Sequence, residues 1–133
     1  MTTNLDVNVY DNVVSIHQHD RIFSLNEARS LLPIILKITK RWHEKSDKVL
    51  LAYHYCNDAQ KREKLEEEFN DILNQWSESI ERLGAVVKGP WLADFDTGDG
   101  HYWCWQYPET DIMYSHSHTG SFKTRQKIAD RDS

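Results

Sequence analysis

The sequence predicts an α+β fold: a long antiparallel helical hairpin followed by a small antiparallel β-meander. Three features predict it. Two helix-spaced apolar stripes run between Phe23 and Leu83, Gly84 closes the second, and strand-like runs between turn signals fill the stretch from Ala85 to His118. A chain of 133 residues can bury one core unaided and is short for two. Ahead of the hairpin, Val7–Tyr10 and Val13–Ile16 flank Asp11-Asn12, a pair suited to a tight turn, and read as an extra N-terminal β-hairpin. The expected organisation is an extension over 1–21, one α+β domain over 22–128 and a flexible tail over 129–133.

The first helix opens at Phe23-Ser24-Leu25-Asn26-Glu27, where Ser24 and Glu27 are spaced for a reciprocal capping box. Pro33, which lacks an amide donor, should kink the helix or open a second helical segment. Ile35, Ile38, Trp42, Val49, Ala52 and Cys56 form one face, with Lys45 interrupting it. Asn57-Asp58 offers a turn and a cap. Leu65, Phe69, Ile72, Trp76, Ile80 and Leu83 then repeat the spacing until Gly84 ends it. The charged run from Lys61 to Glu68 reads as a solvated face. After Gly84, Ala85–Lys88 ends at Gly89-Pro90, Trp91–Phe95 is extended, and Asp96–Gly100 is a turn. His101–Tyr107 and Asp111–His118 then read as strands around a Pro108-Glu109 turn.

Composition removes several function classes. Sixteen Lys and Arg against twenty-one Asp and Glu give a net charge of −5, which offers no overall positive field for a phosphate backbone. The charge balance therefore disfavours nucleic acid as a partner. No run approaches the roughly 18 apolar residues of a membrane span, and Met1–Asn12 lacks the features of a secretion signal. The expected location is the cytoplasm. Cys56 and Cys104, far apart and without metal-type pairing, read as reduced thiols.

Two blocks carry a resemblance. Phe23-Ser24-Leu25-Asn26-Glu27-Ala28-Arg29-Ser30-Leu31-Leu32-Pro33 opens it. Asp94-Phe95, Cys104-Trp105, Glu109, His116, Phe122 and Arg125 close it. Together they resemble a bacterial family called domain of unknown function 2203, over roughly Ile22 to Ile128. The resemblance implies no established activity. This chain has Ser115 and Ser117 where that family usually places Trp before and Glu after the His, and its turn before Arg125 reads Gly120-Ser121-Phe122-Lys123-Thr124.

A turn centred on Glu109-Thr110 would pair strand residues whose numbers sum to 219. Trp105 then faces Tyr114, Trp103 faces His116, and His101 faces His118. One face would carry aromatics at one end and three histidines at the other, either as core with polar plugs or as a pocket rim. For a pocket, the set is Asp94, Trp105, Glu109, His116 and Arg125. Arg supplies a planar fork for a carboxylate or phosphate and His handles protons near neutral pH, so an anionic ligand fits. The same residues also suit an internal network. A divalent metal is the alternative cofactor, held by His101, His116 and His118, with Glu109 or Asp94 as base. Cys104 points away from His101 on the same strand. His43 and His54 are read as surface residues. No nucleophile elbow, phosphate loop or dinucleotide fingerprint is present.

The first functional reading is a non-catalytic binding or protein-interaction module, with an anionic-ligand or partner-protein site on the sheet face and a homodimer surface on the helical hairpin. The second is a small metal-dependent enzyme built on the histidines. The third is a set of polar residues that only stabilise the fold.

Overall fold

The structure is a computed structural model that describes residues 21–129. The N-terminal β-hairpin expected over 7–16 and the tail past residue 129 fall outside the described residues. Helix α1, Leu25–His54, starts at the expected cap. Ser24 Oγ accepts from Glu27 N at 3.1 Å, and Glu27 Oε1 accepts from Ser24 N at 2.8 Å. The helix continues through Pro33 as a single element. The missing N–H removes only the bond to the Arg29 carbonyl, and packing of the same face on both sides of Pro33 carries the helix across it. Helix α2, Ala59–Glu81, is capped by Asp58, whose Oδ1 accepts from Gln60 N and Lys61 N.

Burial corrects the expected stripe of α1. Its buried positions are Leu25, Ala28, Leu32, Ile35, Thr39, Ser46 and Val49. Lys45 and Ala52 are exposed, so Lys45 interrupts nothing; Ser46 is the buried residue there. Two polar residues sit inside the apolar seam because each hydroxyl has a hydrogen-bond partner. Trp76 Nε1 donates to Thr39 Oγ1 across the hairpin at 2.8 Å, and Ser46 Oγ donates to the His43 carbonyl at 2.7 Å. Helix α2 ends where Gly84 adopts φ +101°, a conformation that L side chains disfavour.

Five strands follow: β1 Val86–Gly89, β2 Leu92–Asp96, β3 His101–Gln106, β4 Tyr114–Ser117 and β5 Gln126–Lys127. They pair antiparallel in chain order, which confirms the meander and adds a short fifth strand. Trp91 is not extended as expected; with φ 63° it forms the left-handed corner between β1 and β2. Packing holds it there, with its ring 5.1 Å from Trp76 and 5.1 Å from His43. His43, expected at the surface, is instead half-buried between Trp91 and Tyr107.

The hairpin lies on one face of the sheet, where Leu25, Leu32, Ile35, Trp76 and Ile80 meet Ala93, Phe95 and Trp105. The junction is pinned by polar contacts from the start of α1. Phe23 N donates to Asp96 O at 2.7 Å, Trp103 Nε1 donates to Phe23 O at 3.0 Å, and Arg29 Nη2 donates to Ile112 O at 2.9 Å. Helices of 30 and 23 residues extend about 45 and 35 Å, while strands of four to six residues cover only about 13–20 Å. The hairpin therefore overshoots the sheet, and its far end leaves Leu50, Leu51 and Tyr55 exposed.

The Thr39–Trp76 bond gives a direct test. Thr39→Val keeps the shape but strands a buried indole N–H, so equilibrium denaturation should show a loss of about 1–3 kcal/mol. An unchanged midpoint would mean that the indole finds another acceptor.

Candidate functional site

The register between β3 and β4 decides which side chains meet. Observed partners sum to 218, not 219: His101 pairs with Ser117, Tyr102 with His116, Trp103 with Ser115 and Cys104 with Tyr114. The connection is a seven-residue loop over 107–113 rather than a tight turn centred on Glu109-Thr110. Glu109 N donates to Gln106 O, and Glu109 Oε1 accepts from Gln106 N at 2.9 Å. That closes the loop one residue earlier than expected. A one-residue slip moves every β4 side chain to the other face.

Two expectations are corrected by this register. Trp105 stays with the helices and does not share a face with His116; it touches the site only through its Nε1, which donates to the Glu109 carbonyl at 2.7 Å. The three histidines do not converge as a metal set. His101 lies on the helix-side face and His116 on the outer one, and each histidine has its own aspartate. His101 Nδ1 is 3.5 Å from Asp99, His116 Nε2 is 2.9 Å from Asp94, and His118 Nε2 is 3.0 Å from Asp96.

What the outer face does assemble is a chain of polar side chains under a short cover. Asp94 on β2 pairs with Cys104 on β3, and His116 on β4 reaches across to Asp94. All three are buried, with Asp94 and Cys104 at 0% exposure and His116 at 5%. Arg125 closes the far end: Nη1 and Nη2 donate to Glu109 Oε1 and Oε2 at 3.2 and 2.6 Å. Its guanidinium also stacks on the rings of Tyr114 and Phe122, at 4.0 and 4.1 Å. The one-turn 3-10 helix Phe122–Thr124 lays this cover over the sheet. Asp94, Glu109, His116 and Arg125 are thus brought together, with Cys104 between the two pairs. Both terminal nitrogens of Arg125 are engaged internally, which fits the expected network rather than an open fork for a ligand.

Protonation follows from these contacts. A backbone carbonyl only accepts, so the 2.7 Å contact from His116 Nδ1 to Ser117 O places a proton on Nδ1. The Nε2–Asp94 contact then shares one further proton, giving either imidazolium with carboxylate or neutral imidazole with carboxylic acid. Burial pushes the Asp94 carboxyl above its ordinary range, against the pull of His116. Burial also pushes the Cys104 thiol up to about 12, and Asp94 adds to the rise. Burial works against the Arg125 charge, but Glu109 outweighs it and holds the guanidinium above its usual range.

Cys, His and Asp are the residue types of a nucleophilic triad, but the wiring differs. A triad histidine gives one nitrogen to the nucleophile and the other to the carboxylate. Here Nε2 serves Asp94 and Nδ1 serves a carbonyl, so neither is left for a thiol that is itself neutral. The cluster instead floors a cleft of about 470 Å³, whose lining includes Asp94, His116, Ser121, Phe122 and two lysines, Lys88 and Lys123. Cys104 and Lys88 went unassigned to any site from sequence. Of the cationic residues Lys123, Arg125 and Lys127 in the tail, Lys123 lines the cleft.

The molecule is thus an α+β domain that carries a helical hairpin on one sheet face and a buried polar cluster under a short C-terminal cover on the other. It belongs to the family described as "uncharacterized conserved protein (DUF2203)", whose model matches residues 21–128. No curated protein and no solved structure matched the chain.

Burial and a thiol held near 12 set the reactivity of the two cysteines, both free. At pH 8 a disulfide reagent should titrate one thiol per native chain, Cys56, and two in denaturant. Two fast thiols in the native protein would contradict the burial of Cys104.

Proposed function

We propose that this protein is a non-catalytic binding module that receives a small anionic ligand in the cleft above Asp94 and His116. The observation that carries the reading is the charge arrangement of that cleft. Lys88 and Lys123 supply two positive charges at the rim, while the Asp94–His116 pair, whichever atom holds the shared proton, is neutral overall. A volume of about 470 Å³ is within the range of small-molecule sites. Phe122 offers an apolar wall and the Ser121 hydroxyl a polar contact, so a carboxylate or phosphate compound with a modest apolar body suits the space. The Arg125–Glu109 pair shapes the wall without meeting the ligand. The acidic chain disfavours nucleic acid, and none of the described helices is long and apolar enough to cross a membrane. With two free thiols, the cytoplasm is the compartment this reading takes.

Thermal-shift and calorimetric titration with inorganic phosphate, citrate and simple phosphate esters tests the proposal. Binding by at least one compound should weaken about tenfold or more, 1.4 kcal/mol, in the Lys88→Ala/Lys123→Ala double variant. No binding by any of them, or binding indifferent to both lysines, would overturn it.

A homodimer through the hairpin rests on a separate observation, the exposed Leu50, Leu51 and Tyr55 beside a groove that includes Tyr53, Leu65 and Phe69. Sedimentation should then show a dimer that Leu51→Glu dissociates without lowering Tm; a monomer at high concentration would exclude it.

A further inference from the structure

We infer that Asp94, Cys104 and His116 form a binding site for a zinc-class divalent ion at the floor of the outer-face cleft. One ligand atom from each, a carboxylate oxygen, Sγ and an imidazole nitrogen, lies within 4.8 Å of the others. Tetrahedral zinc with bonds of about 2.0–2.3 Å holds its ligand atoms roughly 3.3–3.7 Å apart. The set therefore needs to close by about 1 Å at its widest, and the 2.9 Å His116–Asp94 contact needs to open by under 1 Å.

Two independent observations point to an ion. Asp94 Oδ1 is buried with no N–H or O–H donor, and the Cys104 thiol beside the carboxylate is only a weak donor, so an oxygen that is costly to bury is left poorly satisfied. His116 is also prepared as a ligand, because Nδ1–H donates to the Ser117 carbonyl at 2.7 Å and turns Nε2 toward Asp94. Metal-bound imidazoles are usually fixed in this way through their second nitrogen. Thiolate and imidazole select zinc over magnesium or calcium, which take oxygen ligands. Thiolate and carboxylate together balance the two charges of the ion, so the buried site closes neutral.

The exchange balances without a redox step. The ion forms bonds to Sγ, Nε2 and a carboxylate oxygen. The thiol proton and the proton shared by Asp94 and His116 leave to solvent, two protons for one divalent cation. Three protein ligands leave a fourth position, and Asp94 and His116 both line the cleft, so that position opens toward it. This inference goes beyond anion binding and does not need it. If both hold, the fourth ligand is the anion itself.

Titration of chelator-treated protein with Co²⁺, a zinc surrogate visible by its absorption, is the test. The expected result is binding at one ion per chain, with the near-ultraviolet band of thiolate ligation and the visible bands of a tetrahedral ion. Cys104→Ser should remove the near-ultraviolet band and weaken binding at least about tenfold, while Cys56→Ser changes neither. Should Cys104→Ser fail to fold, the isosteric Asp94→Asn serves in its place, keeping the thiolate band at weaker affinity. Failure to bind one ion, bands that survive Cys104→Ser, or bands lost in Cys56→Ser would each overturn the site. Phosphate titration of the same metal-free protein reads the anion cleft separately, so failure of one proposal is told apart from failure of the other.

Discussion

The pairing register of β3 against β4 governs the rest of the molecule. It places Trp103 and Trp105 under the helices, and Cys104 opposite Tyr114 on the outer face within reach of Asp94 and His116. Glu109 holds that register from three directions. Its carboxylate caps Gln106 N and grips Arg125, and its carbonyl accepts from Trp105. One residue thus links the loop, the helix-side core and the outer cover. A slip by one position would bury Ser115 and Ser117 in the polar cluster and turn His116 toward the helices, undoing both layers at once.

The two faces of the sheet are built on different physics. The helix side is an aromatic and aliphatic core in which the indole N–H groups of Trp76, Trp103 and Trp105 each find an acceptor. Among the described residues the outer side is covered by the one-turn 3-10 helix Phe122–Thr124, too little for apolar closure. Its buried groups are held by charge and hydrogen bonds instead, with Arg125 serving as both ionic partner and stacked plate between Tyr114 and Phe122.

Much of the fold was legible in the sequence. The Ser24–Glu27 capping box, Asp58, Gly84 and the Asp96–Gly100 turn are local signals whose chemistry does not depend on distant contacts, and each sits where expected. The family motif at Ala28-Arg29 was visible too, but not its purpose, because Arg29 answers a carbonyl 83 positions away. Residues governed by tertiary packing were misjudged. Thr39 and Ser46 are absent from the expected buried face, His43 reads as a surface imidazole, and Trp91 as a strand residue. Neighbours far along the chain decide Thr39, His43 and Trp91. The site was half legible. Asp94, Glu109, His116 and Arg125 assemble, yet Cys104 was set aside because it opposes His101 on its own strand. That geometry was right, and under the true register it makes Cys104 the companion of His116.

Alternation along β4 also divides the chain's freedom to vary. Ser115 and Ser117 stand where related chains are expected to carry Trp and Glu, yet both point away from the face that holds His116. The nearest neighbours of His116 in sequence are its strangers in space. Replacements on either side of it can reshape the rim on the helix side while the buried cluster keeps its partners. A lineage could in this way retune one surface of the strand and inherit the other unchanged.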